Sequence, residues 1–275
     1  MVIFCMQIRG SECETENIDV RVEKRNGICY TTCIKNEERN RIDGVNMVKK
    51  LDICGMQIDN YTAREAIMQV EIYLNNTVMN TIETINMKML DLAGEDETVR
   101  ECIDLLDLAV IGEKDILIAA GVNSTQRIRE TVEHDFFREF LKRIIRNHKY
   151  VFLLGETTAE VDELSDYLDE EYERLQIGGR CALEEKAGDN ESVVNEINSV
   201  SPDVIFSILP SPMQEAFLIE NKGKLSARIW YGLGDGYQTH SGIARISKIV
   251  GKLIHRNKLK LRLHKYQNDN ENEDM

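Results

Sequence analysis

The chain has 275 residues, of which 42% are hydrophobic, and its 34 Lys and Arg against 48 Asp and Glu leave a net charge of −14. The apolar content excludes a disordered chain, and the acidity argues against nucleic-acid binding. No apolar run approaches the roughly 20 residues of a membrane span, so a cytoplasmic protein of one large or two small domains is expected.

The opening apolar run, residues 2–8, is short and lacks a basic lead, so it reads as no signal peptide. Seven scattered cysteines, an odd number, read as reduced thiols. Cys29 and Cys33 lack the second Cys or His pair of a tetrahedral site, so neither a metal nor a cofactor is expected. Residues 20–24 and 28–34 flank Arg25-Asn26-Gly27, a hairpin signal, and 35–43 is charged and loop-like. Residues 1–49 are therefore read as a small β extension.

From Leu51 the pattern changes. Residues 51–58 read as a strand. Thr62 and Glu65 form a capping box before a helix with Ala63, Ala66, Ile67, Val70, Tyr73 and Leu74 on one face. A strand over 79–85 follows, then helices over 86–93 and 98–106, a buried strand over 108–111 and an amphipathic helix over 135–147. The second half repeats the alternation, with strands over 150–154, 203–209 and 227–233. Its helices are an acidic one capped by Thr157 and Glu160, one over 193–197 and one over 212–222. Such alternation predicts a parallel sheet with right-handed crossovers, which binds ligands at the carboxyl ends of its strands.

Charge is unevenly spread. Residues 156–173 hold nine acidic side chains and no basic one, whereas 245–265 holds eight Lys or Arg and no acidic one. A basic segment on an acidic protein seeks a diphosphate, an anionic membrane surface or the protein's own acidic face. Within it, residues 258–263 alternate Lys or Arg with Leu, which favours a strand.

Four strand ends carry candidate chemistry. Thr84 and Asn86 suit sugar hydroxyls, although Asn86 equally suits a helix cap. Glu113, just past a buried strand, can serve as a general base or lie in a solvated turn. In Ser211-Pro212-Met213-Gln214-Glu215, Ser211 is placed to cap a helix starting at Pro212, and Gln214 and Glu215 can bond a base or sugar. Gly232, Gly234 and Gly236 allow close approach to a nucleotide, but the dinucleotide fingerprint fails, and no Walker A sequence or Asp-x-Asp occurs.

Taken in order, these motifs resemble the WecG/TagA/CpsF glycosyltransferase family over residues 51 to about 262. The resemblance runs from Leu51-Asp52-Ile53-Cys54-Gly55 through Thr84-x-Asn86, Leu153-Leu154-Gly155, Ser211-Pro212-x-Gln214-Glu215 and Gly232-x-Gly234 to Gly242-x-x-Arg245. It implies a Rossmann-like α/β fold and an inverting, metal-independent enzyme of surface-polysaccharide synthesis. Such an enzyme moves N-acetylmannosamine or a related sugar from a UDP-sugar donor to a polyprenyl-diphosphate-linked acceptor. It further implies Thr84 and Asn86 at the acceptor, and Ser211, Gln214, Glu215, Gly232, Gly234 and Tyr237 at the donor. Arg127 or Arg129 matches the family's mid-chain arginine, Arg129 being taken as the site residue, and Arg245 would neutralise the diphosphate.

Several positions depart from the family. Gly112-Glu113 stands where Asp-Gly is usual, moving the carboxylate one residue on, and Tyr237-Gln238 replaces Phe-Asp. Pro210 replaces the glycine before Ser-Pro. The expectation is thus a β extension (1–49), a Rossmann-like transferase domain (50–244) and a basic appendage with a polar tail (245–275). Glu113 is the expected base, and 245–265 the expected contact with the inner membrane face. A homo-oligomer or a pairing with an active relative is allowed for. The alternative is a non-catalytic sugar-nucleotide-binding or scaffold protein.

Overall fold

The computed structural model describes residues 18–25, 28–35, 50–186, 189–233, 262–263 and 265–266. The chain divides into two compact units, Met1–Val48 and Lys49–Met275. In the first, β1 (Ile18–Arg25) and β2 (Ile28–Lys35) pair antiparallel, with Arg25 opposite Ile28 across the Asn26-Gly27 connection. This is the hairpin that the sequence predicts.

The second unit opens with a second hairpin, β3 (Lys50–Ile53) and β4 (Met56–Asp59). A continuous strand over 51–58 is therefore corrected. Cys54 and Gly55 both adopt positive φ, 54° and 81°, and fold the chain back on itself. Asp59 anchors β4: one carboxylate oxygen accepts from Ala109 N at 2.9 Å and the other pairs with Lys50 at 2.6 Å.

Beyond the hairpin the elements alternate. They are α1 (Ala63–Tyr73), β5 (Asn80–Ile85), α2 (Met87–Leu92), α3 (Glu97–Asp104), β6 (Leu108–Ile111), α4 (Lys114–Ala119), α5 (Thr125–Val132) and α6 (Asp135–Arg146). Next come β7 (Tyr150–Gly155), α7 (Thr158–Glu171), β8 (Gln176–Ala182), α8 (Asn190–Val200), β9 (Val204–Ser207), α9 (Met213–Asn221) and β10 (Ile229–Gly232). The six strands β5 to β10 form one parallel sheet in the order β6-β5-β10-β9-β7-β8. Both expected capping boxes, Thr62 with Glu65 and Thr157 with Glu160, are present.

Each sheet face is covered. On one, Ile82, Leu108, Leu153, Phe206 and Tyr231 join Val70 of α1, Phe140 and Ile144 of α6, and Leu164 and Leu168 of α7 in one core. Tyr231 is ringed there by Phe136, Phe137, Phe140 and Phe206, with centroids 5.1–6.2 Å away. On the other, Phe152, Leu154, Ile205 and Trp230 pack with α8 and α9, and Phe217 stacks on Trp230. A third core joins Ile85, Ala109 and Ile111 to α2, α4 and the β3–β4 hairpin.

The basic appendage is described only at its end. Arg262 and Leu263 are helical, which corrects the strand expected over 258–263 at those two residues. Leu263 is buried in the third core, and Tyr266 donates its hydroxyl to Asp52 at 3.3 Å. Arg262 donates to the Asp91 carbonyl at the end of α2 and pairs with the Asp91 and Glu95 carboxylates at 3.3 and 2.9 Å. It lies across Gly94, where any side chain would collide with the guanidinium. This arginine therefore takes the protein's own acidic face as its anion. Residues 245–261 and 264 lie outside the described residues.

Candidate active site

Sheet order brings the predicted motifs together. The strands β6, β5, β10 and β9 are consecutive neighbours and parallel, so their carboxyl ends share one rim. That rim carries Glu113 after β6, Thr84 and Asn86 at β5, Gly232 at β10, and Ser211, Gln214 and Glu215 after β9. Three strand spacings of about 4.8 Å make it roughly 14 Å wide, enough for a nucleoside diphosphate lying across it.

At the β6–β5 side the polar groups are held locally. Glu113 is the N-cap residue of α4 in extended backbone, φ −130° and ψ 132°; its side chain makes no capping bond and is half-buried. Asn86 caps α2, its Oδ1 accepting from Met89 N at 2.8 Å, so the capping role foreseen for it is real. The Thr84 hydroxyl shares a hydrogen bond with the Tyr231 hydroxyl at 3.2 Å. Burial pushes the Tyr231 phenol up and keeps it neutral, while its bond to Thr84 opposes that shift.

Gly112 is closely approached by β5. A Cβ on residue 112 would lie 2.5 Å from the Thr84 methyl and 3.2 Å from the Ile85 carbonyl. In this backbone Thr84 therefore fills the space that an aspartate at 112 would need.

At the β10–β9 side the polar groups are buried. Ser211 does not cap α9 as expected. The N-cap position falls on Pro212, and the Ser211 hydroxyl donates to Glu215 Oε1 at 2.5 Å. The Ser211-Pro212 peptide is cis. Gln214 is 2% exposed and Glu215 not at all, so both are enclosed by their neighbours. Gly232 sits between them and β5, in register with Glu83 on one side and Ser207 on the other. A Cβ there would lie 2.6 Å from Gln214 Nε2 and 2.8 Å from Glu83 Cγ, so the glycine is required for these side chains to pack.

Glu83 is fully buried. Burial, reinforced by the charge of Glu215, pushes its carboxyl well above the usual carboxylate range. Trp230, Cys102 and Gln214 turn donors toward it and oppose that shift, the Cys102 thiol donating at 3.9 Å. Glu83 Oε2 and Gln214 Oε1 are buried without a partner at good hydrogen-bond geometry among the described residues. An unmet buried acceptor costs about 1–3 kcal/mol, so each of these atoms calls for a donor.

The remaining predicted residues divide. Arg129 is exposed on α5, whereas the neighbouring Arg127 is the arginine built into the structure. It bonds Asn60 at 3.1 Å and Glu130 at 3.2 Å, and burial lowers its pKa. Gly234, Tyr237 and Arg245 lie outside the described residues. Among the described residues no three His, Cys, Asp or Glu side chains converge to hold a metal ion, and no helix is long and apolar enough to cross a membrane.

Comparison with known proteins agrees with this geometry. Residues 51–254 match the glycosyl transferase WecG/TagA/CpsF family. The chain belongs to that family. Two Staphylococcus aureus relatives bear the name N-acetylglucosaminyldiphosphoundecaprenol N-acetyl-beta-D-mannosaminyltransferase. The one from strain MRSA252 is 26% identical over 207 residues, 70% of this chain and 76% of its own length. The one from strain NCTC 8325 / PS 47 is 25% identical over 206 residues with the same coverage. The matched span contains the whole six-stranded sheet and its rim, whereas the β1–β2 hairpin precedes it.

Within this WecG/TagA/CpsF scaffold, sequence reading passes over Glu83, Trp230 and Tyr231. A signal exists for Glu83. A central parallel strand buried on both faces reads as a continuous apolar run, and a glutamate inside one demands a reason.

Proposed function

We propose that this protein is a hexosyltransferase. It moves an N-acetylamino sugar, N-acetylmannosamine or a close relative, from UDP to a polyprenyl-diphosphate-linked acceptor. The observation that carries this reading is the placement of four motifs on four adjacent strand ends, in a family whose named members here are N-acetylmannosaminyltransferases.

The acceptor hydroxyl oxygen attacks the anomeric carbon from the face opposite the phosphate. The bond from that carbon to the phosphate oxygen breaks, and UDP departs with the electron pair. The hydroxyl proton passes to Glu113, which stands half-buried at the rim. Thr84, oriented by Tyr231, and Asn86 line the acceptor side. Gln214, Glu215 and Gly232 form the donor floor, where fixed dipoles act most strongly because water is excluded. Arg245 and its basic neighbours meet the departing diphosphate and the anionic membrane surface that carries the acceptor.

One observation favours a second reading, a sugar-nucleotide-binding or scaffold protein. No carboxylate stands at 112, and the Thr84 methyl fills its place. A transfer assay with UDP-N-acetylmannosamine and a short-chain GlcNAc-diphosphoprenol decides between them. Glycosylated lipid, lost at least about 100-fold in Glu113→Gln with unchanged melting temperature, is the expected result. UDP binding without transfer to any acceptor supports the second reading.

A further inference from the structure

The roles above leave one buried charged residue unused. Glu83 shares β5 with Thr84 but faces the opposite side of the sheet, where it meets Gln214 over the bare Cα of Gly232. The amide nitrogen of Gln214 lies at that contact, and its oxygen Oε1 is buried without a partner among the described residues. A side-chain amide can turn its two ends by half a rotation unless one end is held. Three elements supply the groups facing Glu83: Glu215 and Gln214 from α9, Cys102 from α3 and Trp230 from β10. Lys222, which bonds Thr81 at 3.4 Å and lies 3.7 Å from Asp107, acts on the same cluster through Cys102.

We infer that Glu83 is a positioning residue. It holds the nitrogen end of the Gln214 amide and so presents Gln214 Oε1 as the acceptor for an N–H or O–H donor of the nucleotide sugar. The inference rests on the donor-site reading above. It adds a residue on β5 that touches no substrate yet sets the hydrogen-bonding sense of one that does. Keeping the acid neutral matters, because a full charge beside Glu215 would repel it and disturb the contact over Gly232.

The test uses the full chain with UDP as the probe and two variants, Glu83→Gln and Glu83→Met. Met fills the volume without hydrogen bonding, and it leaves the donors of Gln214, Cys102 and Trp230 facing an apolar group, which costs stability. Calorimetry should give Glu83→Gln a UDP affinity within about threefold of the parent. Glu83→Met should stay folded, melt somewhat lower and bind at least about tenfold more weakly, a loss that Glu83→Gln does not share. Parental affinity in Glu83→Met overturns the inference, as does equal weakening in both variants.

The pH dependence gives an independent readout. A glutamate with a raised folded pKa keeps its proton where the unfolded chain loses it, so the parent loses stability as pH rises above the usual carboxylate range. The melting temperature of Glu83→Gln should therefore gain on the parent from about pH 5 to about pH 8, and a constant difference overturns neutrality. If the parent binds no UDP, the donor-site reading falls by itself. The Gln214 side-chain amide resonances then decide whether Glu83 holds that group: they should move in Glu83→Met and stay near parental in Glu83→Gln. Resonances unmoved by Glu83→Met overturn the inference.

Discussion

The two sides of the rim are built on opposite principles. At β6 and β5, Glu113 and Thr84 are half-buried and held by a helix start or one hydrogen bond. At β10 and β9, Ser211, Gln214, Glu215 and Ser207 are all less than a tenth exposed, and Gln214 meets Glu83 of β5 over Gly232. A group that takes a proton needs reach and solvent, whereas groups that grip a nucleotide gain from being fixed before it arrives. On the proposed reading, the half-buried side leaves room for a carboxylate one residue on, which the buried side would not.

Substitutions can break that contrast in decreasing order of effect. Glu113→Gln should cost the most, at least about 100-fold in kcat with no change in melting temperature, read in the transfer assay. Gly232→Ala comes next, because its methyl would meet Gln214 and Glu83 at 2.6 and 2.8 Å. It should lower stability by about 2–3 kcal/mol in urea unfolding and abolish UDP binding. Gly112→Asp restores the family's usual residue but meets the Thr84 methyl at 2.5 Å. It should cost about 1–3 kcal/mol alone and markedly less with Thr84→Ser, a coupling that a double-mutant cycle measures.

Two smaller effects sharpen the picture. Arg262→Ala removes the appendage's bonds to Asp91 and Glu95 and should cost about 1–2 kcal/mol. Limited proteolysis should then cut the C-terminal segment sooner. Tyr231→Phe removes the hydroxyl bonded to Thr84 and should cost about 1 kcal/mol, with KM for the acceptor moving more than KM for the donor.

Much of the fold is legible in the sequence because its elements announce themselves locally. Thr62 with Glu65 and Thr157 with Glu160 cap the helices they predict, and Phe136, Phe140, Leu141 and Ile144 mark the buried face of α6. The edge strand β8 is not legible, because Gly178 and Gly179 in its middle read as a break. They are there because a Cβ on Gly179 would come within 2.9 Å of the Phe152 ring. The turn at Cys54 and Gly55 is hidden in an apolar run whose only mark is one glycine.

For the site, the motif positions are readable and the directions of the side chains are not. Ser211 reads as a cap and turns out to serve Glu215, because Pro212 takes the N-cap position itself. Arg129 and Arg127 are indistinguishable in sequence. Only packing shows that Arg127 is the one drawn inward, to Asn60 and Glu130.

The central claim is that an activated sugar nucleotide lies across the carboxyl ends of β6, β5, β10 and β9. Amide hydrogen exchange with and without millimolar UDP tests it directly. The account predicts slowed exchange in residues 83–86, 111–114, 207–215 and 230–233, with the opposite ends of the same strands unchanged. Protection elsewhere on the sheet, or none at saturating nucleotide, would contradict it.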